Sequence, residues 1–335
     1  MLPEDRMTMK KYNWGIIGPG KIARKFTAGL KQLGNANLHS VVSRSGERAE
    51  AFASEHGYSK AYGDYLSFAS DPDLDIVYVA TPHSHHHEHS LLCLRHGKAV
   101  LCEKAFALNS RQVEEIIASA MQNRIFLMEA LWPPFQPSYI KAKELISDKR
   151  AGPVKYVISK FAFKATYDPE GRAFNPRLAG GSLLDIGIYP VIDALTFLGV
   201  PDNIEAIPVF APTGVDESIA VLFGYKDGRG ASLYSSFTND GGIGTEIICD
   251  NANIMISRGR DYTQYIQVEY SGGEKEEYTY KPEAMGFHYE AAEVMRCLDS
   301  GLKESTVVPL SFSSQLTGIL DSIRKKAGII YPPEK

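Results

Sequence analysis

The stretch that decides the fold is Tyr12-Asn13-Trp14-Gly15-Ile16-Ile17-Gly18-Pro19-Gly20-Lys21-Ile22-Ala23. A short apolar run leads into a glycine turn and then into a helix-forming sequence. Gly18 permits the tight turn, Gly20 lets the backbone approach a ligand, and Ala23 is small enough for the helix to pack closely on the strand. The N–H groups and positive dipole end of such a helix bind the pyrophosphate of a dinucleotide. The predicted dinucleotide contacts in this turn are Gly18, Pro19, Gly20, Lys21 and Ile22.

Strand-like and helix-like stretches alternate after this turn. The apolar runs 76–80 and 99–102 are uninterrupted, which is typical of strands buried on both faces of a sheet. Such alternation predicts right-handed crossovers, a parallel sheet and an α/β Rossmann domain over residues 11–131. The other predicted elements are strands 38–43 and 125–128, and helices 47–56, 86–96 and 111–123, the last with Ser110 as its N-cap.

The sequence after Trp132 is rich in strand-like segments. Turn signals such as Asp227-Gly228 and Gly272-Gly273 separate several of them and indicate antiparallel hairpins. Residues 132–335 are therefore predicted to form an α+β domain with a large, mainly antiparallel open sheet that binds the substrate. Because the segment 218–223 is apolar on both faces, we expect a partner subunit to cover this sheet in a homodimer or a dimer of dimers. The predicted strands are 154–163, 218–225, 231–237, 246–249, 254–257, 265–270 and 276–280, and the helices are 138–147, 190–197, 288–298 and 311–326.

Composition narrows the possible partners and compartment. The 335 residues are enough for two cores, and a net charge of −4 gives no footprint for nucleic acid. We find no apolar run long enough to span a membrane, and the first 11 residues are too polar for a secretory signal. The four cysteines are widely scattered and fit reduced thiols. These features favour a cytoplasmic protein with a small-molecule substrate.

The residues at the end of the second predicted strand indicate which dinucleotide is bound. In NAD-binding turns an acidic side chain about 20 residues beyond the glycines binds the ribose 2′-OH. Ser43 and Arg44 stand at that place, so no carboxylate is present to repel a 2′-phosphate. Arg44 can bind that phosphate through two hydrogen bonds and Ser43 can donate another. The sequence favours NADP over NAD, with a solvated turn arginine as the alternative interpretation of Arg44.

Two motifs carry a family resemblance: Ala80-Thr81-Pro82, followed by histidine, and Leu101-Cys102-Glu103-Lys104. With them, the chain resembles the Gfo/Idh/MocA oxidoreductases over residues 12–332. It is most similar to the branch of the dimeric trans-dihydrodiol dehydrogenases and related sugar dehydrogenases, which it also matches at 180–190 and 289–305. The resemblance implies an NADP-dependent oxidoreductase that acts on a CH–OH group of a sugar, polyol or cyclic diol. It adds Thr81, Pro82, His86, Glu103 and Lys104 to the cofactor-binding residues.

Lys104 follows an apolar strand, at the edge where open α/β sheets bind ligands. A cation there can stabilise a negatively charged oxygen and lower the pKa of a neighbouring phenol. The resemblance implies that Tyr189 is this phenol and transfers the proton, and that Asp185 binds or orients substrate hydroxyls. Because the residue before a proline is biased away from helix, we expect Pro190 to be the first residue of its helix. The alternative is a solvated lysine and a tyrosine at the edge of the core.

Two positions depart from the family pattern. Ala105 replaces the proline that usually follows Glu-Lys, so the lysine is retained but a looser turn is expected. Pro134 occupies a place where this branch often has arginine, which suggests a different natural substrate.

Four further residues are candidates for contact with the substrate. Trp132 and Phe135 can form an apolar wall for a sugar or an aromatic diol, or can simply pack between domains. Arg172 and Arg177 lie in a long polar loop that suits substrate contact, although such loops are often only solvated.

The histidine-rich segment His83-Ser84-His85-His86-His87-Glu88-His89 suggests a metal site at first sight. Pairs four residues apart on a helix can bind zinc. However, the segment begins where the nicotinamide ribose is expected, and no distant Cys or His set completes a site. We predict no bound metal and interpret most of these histidines as a surface cluster at a helix start.

Two other functions are consistent with parts of the sequence. One is a regulator or scaffold that binds a dinucleotide without turnover, although such a protein has no need of both Lys104 and Tyr189. The other is a metal-dependent hydrolase built on the histidines.

Overall fold

The computed structural model describes residues 10–332. The polar amino-terminal segment, on which the expected lack of a secretory signal rests, lies largely outside these residues.

A six-stranded parallel sheet forms the first half of the chain, in the order β3-β2-β1-β4-β5-β6. Its apolar strands are covered on both faces by helices, which is the predicted Rossmann arrangement. The strands are β1 (Tyr12–Ile17), β2 (Ala36–Val42), β3 (Lys60–Tyr62), β4 (Ile76–Val79), β5 (Ala99–Glu103) and β6 (Leu127–Ala130). The helices are α1 (Lys21–Leu30), α2 (Gly46–His56), α3 (Tyr65–Ala69), α4 (His86–Arg95) and α5 (Ser110–Asn123).

An eight-stranded sheet follows, in the order β14-β13-β12-β11-β7-β10-β9-β8. Only β7 and β10 pair in parallel, so the sheet is mainly antiparallel, as predicted. Its strands are β7 (Val154–Ala162), β8 (Asn203–Phe210), β9 (Asp216–Gly224), β10 (Gly230–Ser236), β11 (Gly242–Cys249), β12 (Ala252–Arg258), β13 (Gln264–Tyr270) and β14 (Lys275–Tyr280). The helices of this half are α6 (Pro137–Ser147), α7 (Ile188–Leu198), α8 (Phe287–Asp299) and α9 (Leu310–Ala327).

Helices cover one face of this sheet, and the other face is open. In β9, Ile219 and Val221 are buried under the helices, whereas Leu222 is 54% exposed on the opposite face. The last two helices also pack back on the first half, α8 against α1 and α9 against α5. The predicted boundary at residue 132 therefore does not separate two independent packing units.

The segment before α7 differs from the prediction. We expected Pro190 to begin a helix, but a π-helical turn, Leu183–Gly187, leads directly into α7, and Pro190 is its third residue. The cause is a tertiary contact: the buried carboxylate of Asp216 accepts hydrogen bonds from the Leu183 N–H at 2.6 Å and the Ser182 hydroxyl at 3.0 Å. These bonds cap the turn, so Asp185 and Tyr189 lie on one continuous helical segment.

Smaller differences concern element ends. Asn109, not Ser110, is the N-cap of α5, because the Asn109 side chain accepts the Gln112 N–H at 3.0 Å while Ser110 donates to Asp321. The strand predicted at 125–128 lies two residues later, and β3, α3 and β8 were not predicted.

One stretch, Pro176–Leu198, has the length and apolar composition of a membrane span. In the structure 83% of its most apolar window is buried inside the protein, as the core helix α7 and the turns before it.

Candidate active site

The turn between β1 and α1 has the geometry of an anion site. Gly18 has a positive φ of 89°, and its N–H donates to the Val42 carbonyl at 3.2 Å. Gly20 is the N-cap of α1, and no side chain caps this helix. The first N–H groups of α1 are therefore available to a ligand.

The two glycines play different roles. A Cβ on Gly18 would lie 2.9 Å from the Ala80 carbonyl oxygen, so this position needs glycine to fold. A Cβ on Gly20 would meet nothing closer than the Gly18 carbonyl at 3.9 Å. The protein thus leaves space in front of Gly20, and Ala23 behind it is fully buried. These observations fit a dinucleotide pyrophosphate.

Ser43 and Arg44 lie at the end of β2, next to this turn. Ser43 is buried, and its hydroxyl accepts the Ser45 N–H at 3.4 Å. Arg44 is exposed, and its guanidinium forms no ion pair with any residue in 10–332. The side chain is therefore available to bind a phosphate.

The predicted nicotinamide side of the cofactor site is built from the loops after β4 and β5. His86 is buried at the start of α4, with Nε2 2.8 Å from the Thr81 carbonyl and Nδ1 2.7 Å from the Ala105 carbonyl. It lies between the two loops, and burial lowers its pKa to about 4 although both carbonyls raise it. Thr81 and Pro82 remain partly exposed at the edge of the cleft.

Lys104, Asp185 and Tyr189 lie close together at the carboxyl end of β5. Lys104 Nζ donates to the Asp185 carbonyl oxygen and lies 3.3 Å from its Oδ1. The same Nζ lies 5.0 Å from the centroid of the Tyr189 ring. The π turn and α7 present Asp185 and Tyr189 on the side that faces β5.

The electrostatic interactions within this group favour the charged forms of Lys104 and Asp185. Burial opposes the charge on Lys104, but Tyr189 and Asp185 outweigh it and raise the Lys104 pKa above its usual value. Burial also opposes the Asp185 charge, yet Lys104 and Arg172 hold the pKa of Asp185 well below its usual range. The pKa of Tyr189 is raised, because the effect of burial exceeds the lowering by Lys104. The expected lowering by Lys104 is present but does not set the net direction.

Glu103 lies behind Lys104 in the interior. It accepts a hydrogen bond from the buried Tyr78 hydroxyl. Burial raises the Glu103 pKa, and Lys104 partly opposes this. Glu103 therefore contacts the core rather than the open cleft.

The turn around Ala105 is held by several contacts, although we expected it to be looser without proline. Ala105 is 2% exposed and the Lys104–Ala105 peptide bond is cis. Its carbonyl lies against His86, and the next N–H, of Phe106, donates to the Glu129 carboxylate at 2.9 Å.

The four substrate candidates lie in different places. Trp132 lines the cavity that contains Tyr189, and its Nε1 donates to the Met285 carbonyl at 2.9 Å. Phe135 does not line this cavity: it is buried and lines another one, between α6 and α8. Arg172 Nη2 donates to Asp185 at 2.9 Å, so it belongs to the Lys104 group. Arg177 is exposed, and among the described residues only its backbone N–H is bound, to Asn175 Oδ1 at 2.9 Å.

The cavity beside Tyr189 also contains residues that the sequence analysis missed. Phe161 of β7 lies 5.4 Å from the Tyr189 ring, and Arg258 at the end of β12 lies next to Phe161. The spacing of these residues along the chain gave no signal, because the sheet brings them together.

The histidines do not converge on one point. His83 contacts the Ala179 carbonyl, His85 pairs with Glu88 at 2.7 Å and His87 with Glu115 at 2.7 Å. Each of these rings has its own partner, but the interpretation as a surface cluster is wrong for His83 and His89, which are 3% and 6% exposed. The acidic group around Asp71 already binds a lysine: Asp71 Oδ2 accepts a hydrogen bond from the Lys60 ammonium at 3.0 Å.

Comparison with known families decides the assignment. Residues 12–130 match the family described as "Oxidoreductase family, NAD-binding Rossmann fold", and residues 139–255 match the "GFO/IDH/MocA C-terminal domain". The chain belongs to the Gfo/Idh/MocA oxidoreductase family. The family assignment confirms the predicted fold and the oxidoreductase class, and it does not support the alternative of a regulator without turnover.

Curated relatives within the Gfo/Idh/MocA family match nearly the full length. The chain is 37% identical to trans-1,2-dihydrobenzene-1,2-diol dehydrogenase of Xenopus tropicalis, over 95% of this chain and 99% of the relative. It is 34% identical to the human enzyme of the same name, over 96% and 98%. These similarities confirm the predicted branch.

Solved Gfo/Idh/MocA-like structures share the fold. The aldose-aldose oxidoreductase of Caulobacter crescentus gives a TM-score of 0.85 at 24% identity, covering 95% of this chain and 98% of that one. A 3-ketoreductase from Actinomadura kijaniata, in complex with NADP, gives 0.84 at 22% identity and the same coverage. A levoglucosan dehydrogenase in complex with NADH gives 0.85 at 19% identity, covering 95% and 97%. Since both NADP and NADH occur among these structures, the comparisons support an NAD(P) site without choosing the nucleotide.

Proposed function

We propose that the protein is an NADP-dependent oxidoreductase that transfers hydride between nicotinamide and a secondary alcohol or carbonyl of a sugar, polyol or cyclic diol. We also propose that it acts in the cytoplasm as a homodimer or a dimer of dimers. The observation that carries the reaction is the meeting of Lys104 and Tyr189, from the two halves of the chain, in one cleft. The curated relatives are named as dehydrogenases of a dihydrodiol, which is consistent with a CH–OH substrate.

NADP fits the residues that surround the cleft. The N–H groups at the start of α1 would hold its pyrophosphate, in the space left by Gly20. Ser43 and Arg44 would hold the 2′-phosphate, since Arg44 has no other ionic partner in residues 10–332. The loops after β4 and β5, with Thr81, Pro82 and His86, would line the nicotinamide side.

The side chains of the cleft supply the acid–base chemistry. NADP, when bound, supplies the hydride donor or acceptor. Tyr189 takes the proton of the reacting hydroxyl on oxidation and returns it on reduction. The Lys104 ammonium stabilises negative charge on the reacting oxygen and on the phenol. Asp185 fixes Lys104 and can accept a hydrogen bond from a second substrate hydroxyl.

The proposed dimer rests on the open face of the eight-stranded sheet. Ile158, Ile207, Val209 and Leu222 are apolar and between 40% and 73% exposed. The strand register places them on the same face. A group of exposed apolar side chains on one sheet face is typical of a protein–protein interface. The four cysteines are free and buried, which is consistent with a reducing compartment.

The experiment is a steady-state assay with NADP and NADPH against sugars, polyols, cyclic diols and the corresponding carbonyl compounds. We expect turnover by the wild type and a loss of about 100-fold or more in kcat for Lys104→Met, the size typical of a removed oxyanion donor. NADP affinity, measured by quenching of intrinsic fluorescence, should change little. Lys155→Met, an exposed lysine of β7, is the control. Unchanged kcat in Lys104→Met would contradict the proposed chemistry.

A further inference from the structure

Arg258 is a cation in the candidate site that has no anionic partner. It ends β12 and lines the cavity that also contains Tyr189 and Trp132. Its guanidinium carbon lies 4.8 Å from the Trp132 ring centroid, 4.7 Å from that of Tyr262 and 5.8 Å from that of Phe161. No residue in 10–332 forms a hydrogen bond or ion pair with the guanidinium.

The aromatic neighbours use only part of the guanidinium. The cation–π contacts with Trp132 and Tyr262 hold the guanidinium but give its five N–H donors no oxygen acceptor. The edge of a guanidinium matches a carboxylate, which accepts two parallel hydrogen bonds from it.

The acidic side chains around the cleft are held by groups other than Arg258. Asp193, which lines the same cavity, accepts hydrogen bonds from Ser159 and Thr245, and burial raises its pKa to about 6. Lys104 and Arg172 both contact Asp185, so that carboxylate is already shared by two cations. Burial lowers the pKa of Arg258, and only the phenols of Tyr189 and Tyr262 counter this. A partly buried charge costs free energy until it is paired, so an anionic ligand gains from entering this cavity.

We infer that the substrate is a sugar acid, such as a uronic or aldonic acid, whose carboxylate pairs with Arg258 while its CH–OH group reacts at Tyr189. This inference rests on the proposed function and narrows its substrate class. A carboxylate fits better than a phosphate, because Arg258, the one arginine among the described residues that line this cavity, balances one negative charge.

The test compares substrates that differ only in the acid group: D-glucuronate with D-glucose, and D-galacturonate with D-galactose. We expect a higher kcat/KM for the acid in at least one pair. Arg258→Met should lower the acid's kcat/KM about 30-fold more than that of the neutral sugar, the value of a lost charged hydrogen bond. Arg258→Lys should restore part of the loss.

Arg260→Met is the matched control, since this arginine lies two residues away with its side chain 96% exposed. Equal losses for acid and neutral sugar in Arg258→Met would assign Arg258 to aromatic stacking and overturn the inference. A preference for D-glucose 6-phosphate over both uronates would overturn the carboxylate class.

A binding measurement separates this inference from the proposed function. Calorimetric titration of the uronates into the NADP complex is made for the wild type and both Arg258 variants, whose melting temperatures are also compared. Tighter binding by the wild type than by Arg258→Met supports the inference even if no turnover occurs, in which case only the proposed function fails. Equal binding by the two overturns the inference, whatever the activity with neutral substrates.

Discussion

Lys104 and Asp185 join the two halves of the chain at the point where the chemistry is proposed. Lys104 follows β5 of the parallel sheet. Its ammonium donates to both the backbone carbonyl and the carboxylate of Asp185, which precedes α7. Asp185 raises the pKa of Lys104 and also that of Tyr189. One carboxylate therefore influences both proton-carrying groups.

Asp185→Asn should shift the pH–rate profile downward. Removal of the negative charge makes protons leave Lys104 and Tyr189 more easily, so the pKa of both groups falls. The basic limb of kcat against pH is expected to move to lower pH. Asp227→Asn, at an exposed ion pair with Arg229, should leave the profile in place. A basic limb that does not move in Asp185→Asn would show that neither group controls it.

The two glycines of the first turn should respond differently to substitution. Gly20→Val is expected to keep the wild-type melting temperature, because the protein leaves space there and the backbone is extended, but to weaken NADP binding about tenfold or more by blocking close approach. Gly18→Ala should lower the melting temperature, because φ is 89° and its Cβ would press on Ala80. Thermal denaturation and fluorescence titration of both variants test this. Full NADP affinity in Gly20→Val would move the pyrophosphate elsewhere.

Arg44→Ala should discriminate between the two nucleotides. Loss of a charged hydrogen bond to the 2′-phosphate is expected to weaken NADP about 10- to 100-fold, whereas NAD has no such phosphate. Dissociation constants for both cofactors, measured also for the exposed neighbour Arg48→Ala, provide the comparison. Similar losses for NADP and NAD would remove Arg44 from the 2′-phosphate.

The exposed apolar face of the eight-stranded sheet predicts that charged substitutions there lower the molecular mass of the protein in solution. Ile207→Lys combined with Leu222→Lys places charges in the exposed apolar face, and we expect the protein to elute as a monomer. Leu66→Lys, at a residue that is 56% exposed in the first half, should leave the mass unchanged. Light scattering after size exclusion measures it. A wild-type monomer would exclude the proposed dimer.

Local sequence patterns predicted those parts of the protein whose conformation is decided by residues close together in the chain. The Gly18–Gly20 turn, the buried runs of β4 and β5 and the position of Lys104 all follow from neighbours in sequence. The continuous helix through Asp185 and Tyr189 did not, because its cap is Asp216, a residue of β9. Local preference at Pro190 gave the wrong helix start.

In the candidate site, Arg258 likewise could not be predicted from its neighbours in sequence. Nothing near it in sequence marks it as special, and only the sheet brings it to Tyr189 and Trp132. Phe135 shows the converse, since only two residues separate it from Trp132 and yet it faces another cavity. Residue type and motif indicated Lys104 as a candidate, but the walls of the cavity required tertiary structure.

Glu129 should make stability fall as pH rises. It is 1% exposed at the end of β6, and burial raises its pKa from 4.5 to about 8. Between these two values the folded protein keeps a proton that the unfolded chain has lost, so the free energy of unfolding decreases by up to about 1.4 kcal/mol per pH unit. Glu129→Gln removes this proton, and its urea-derived free energy of unfolding should fall less between pH 5 and pH 8. The exposed Glu114→Gln is the control, and parallel curves for Glu129→Gln and wild type would mean that Glu129 is charged in the folded state.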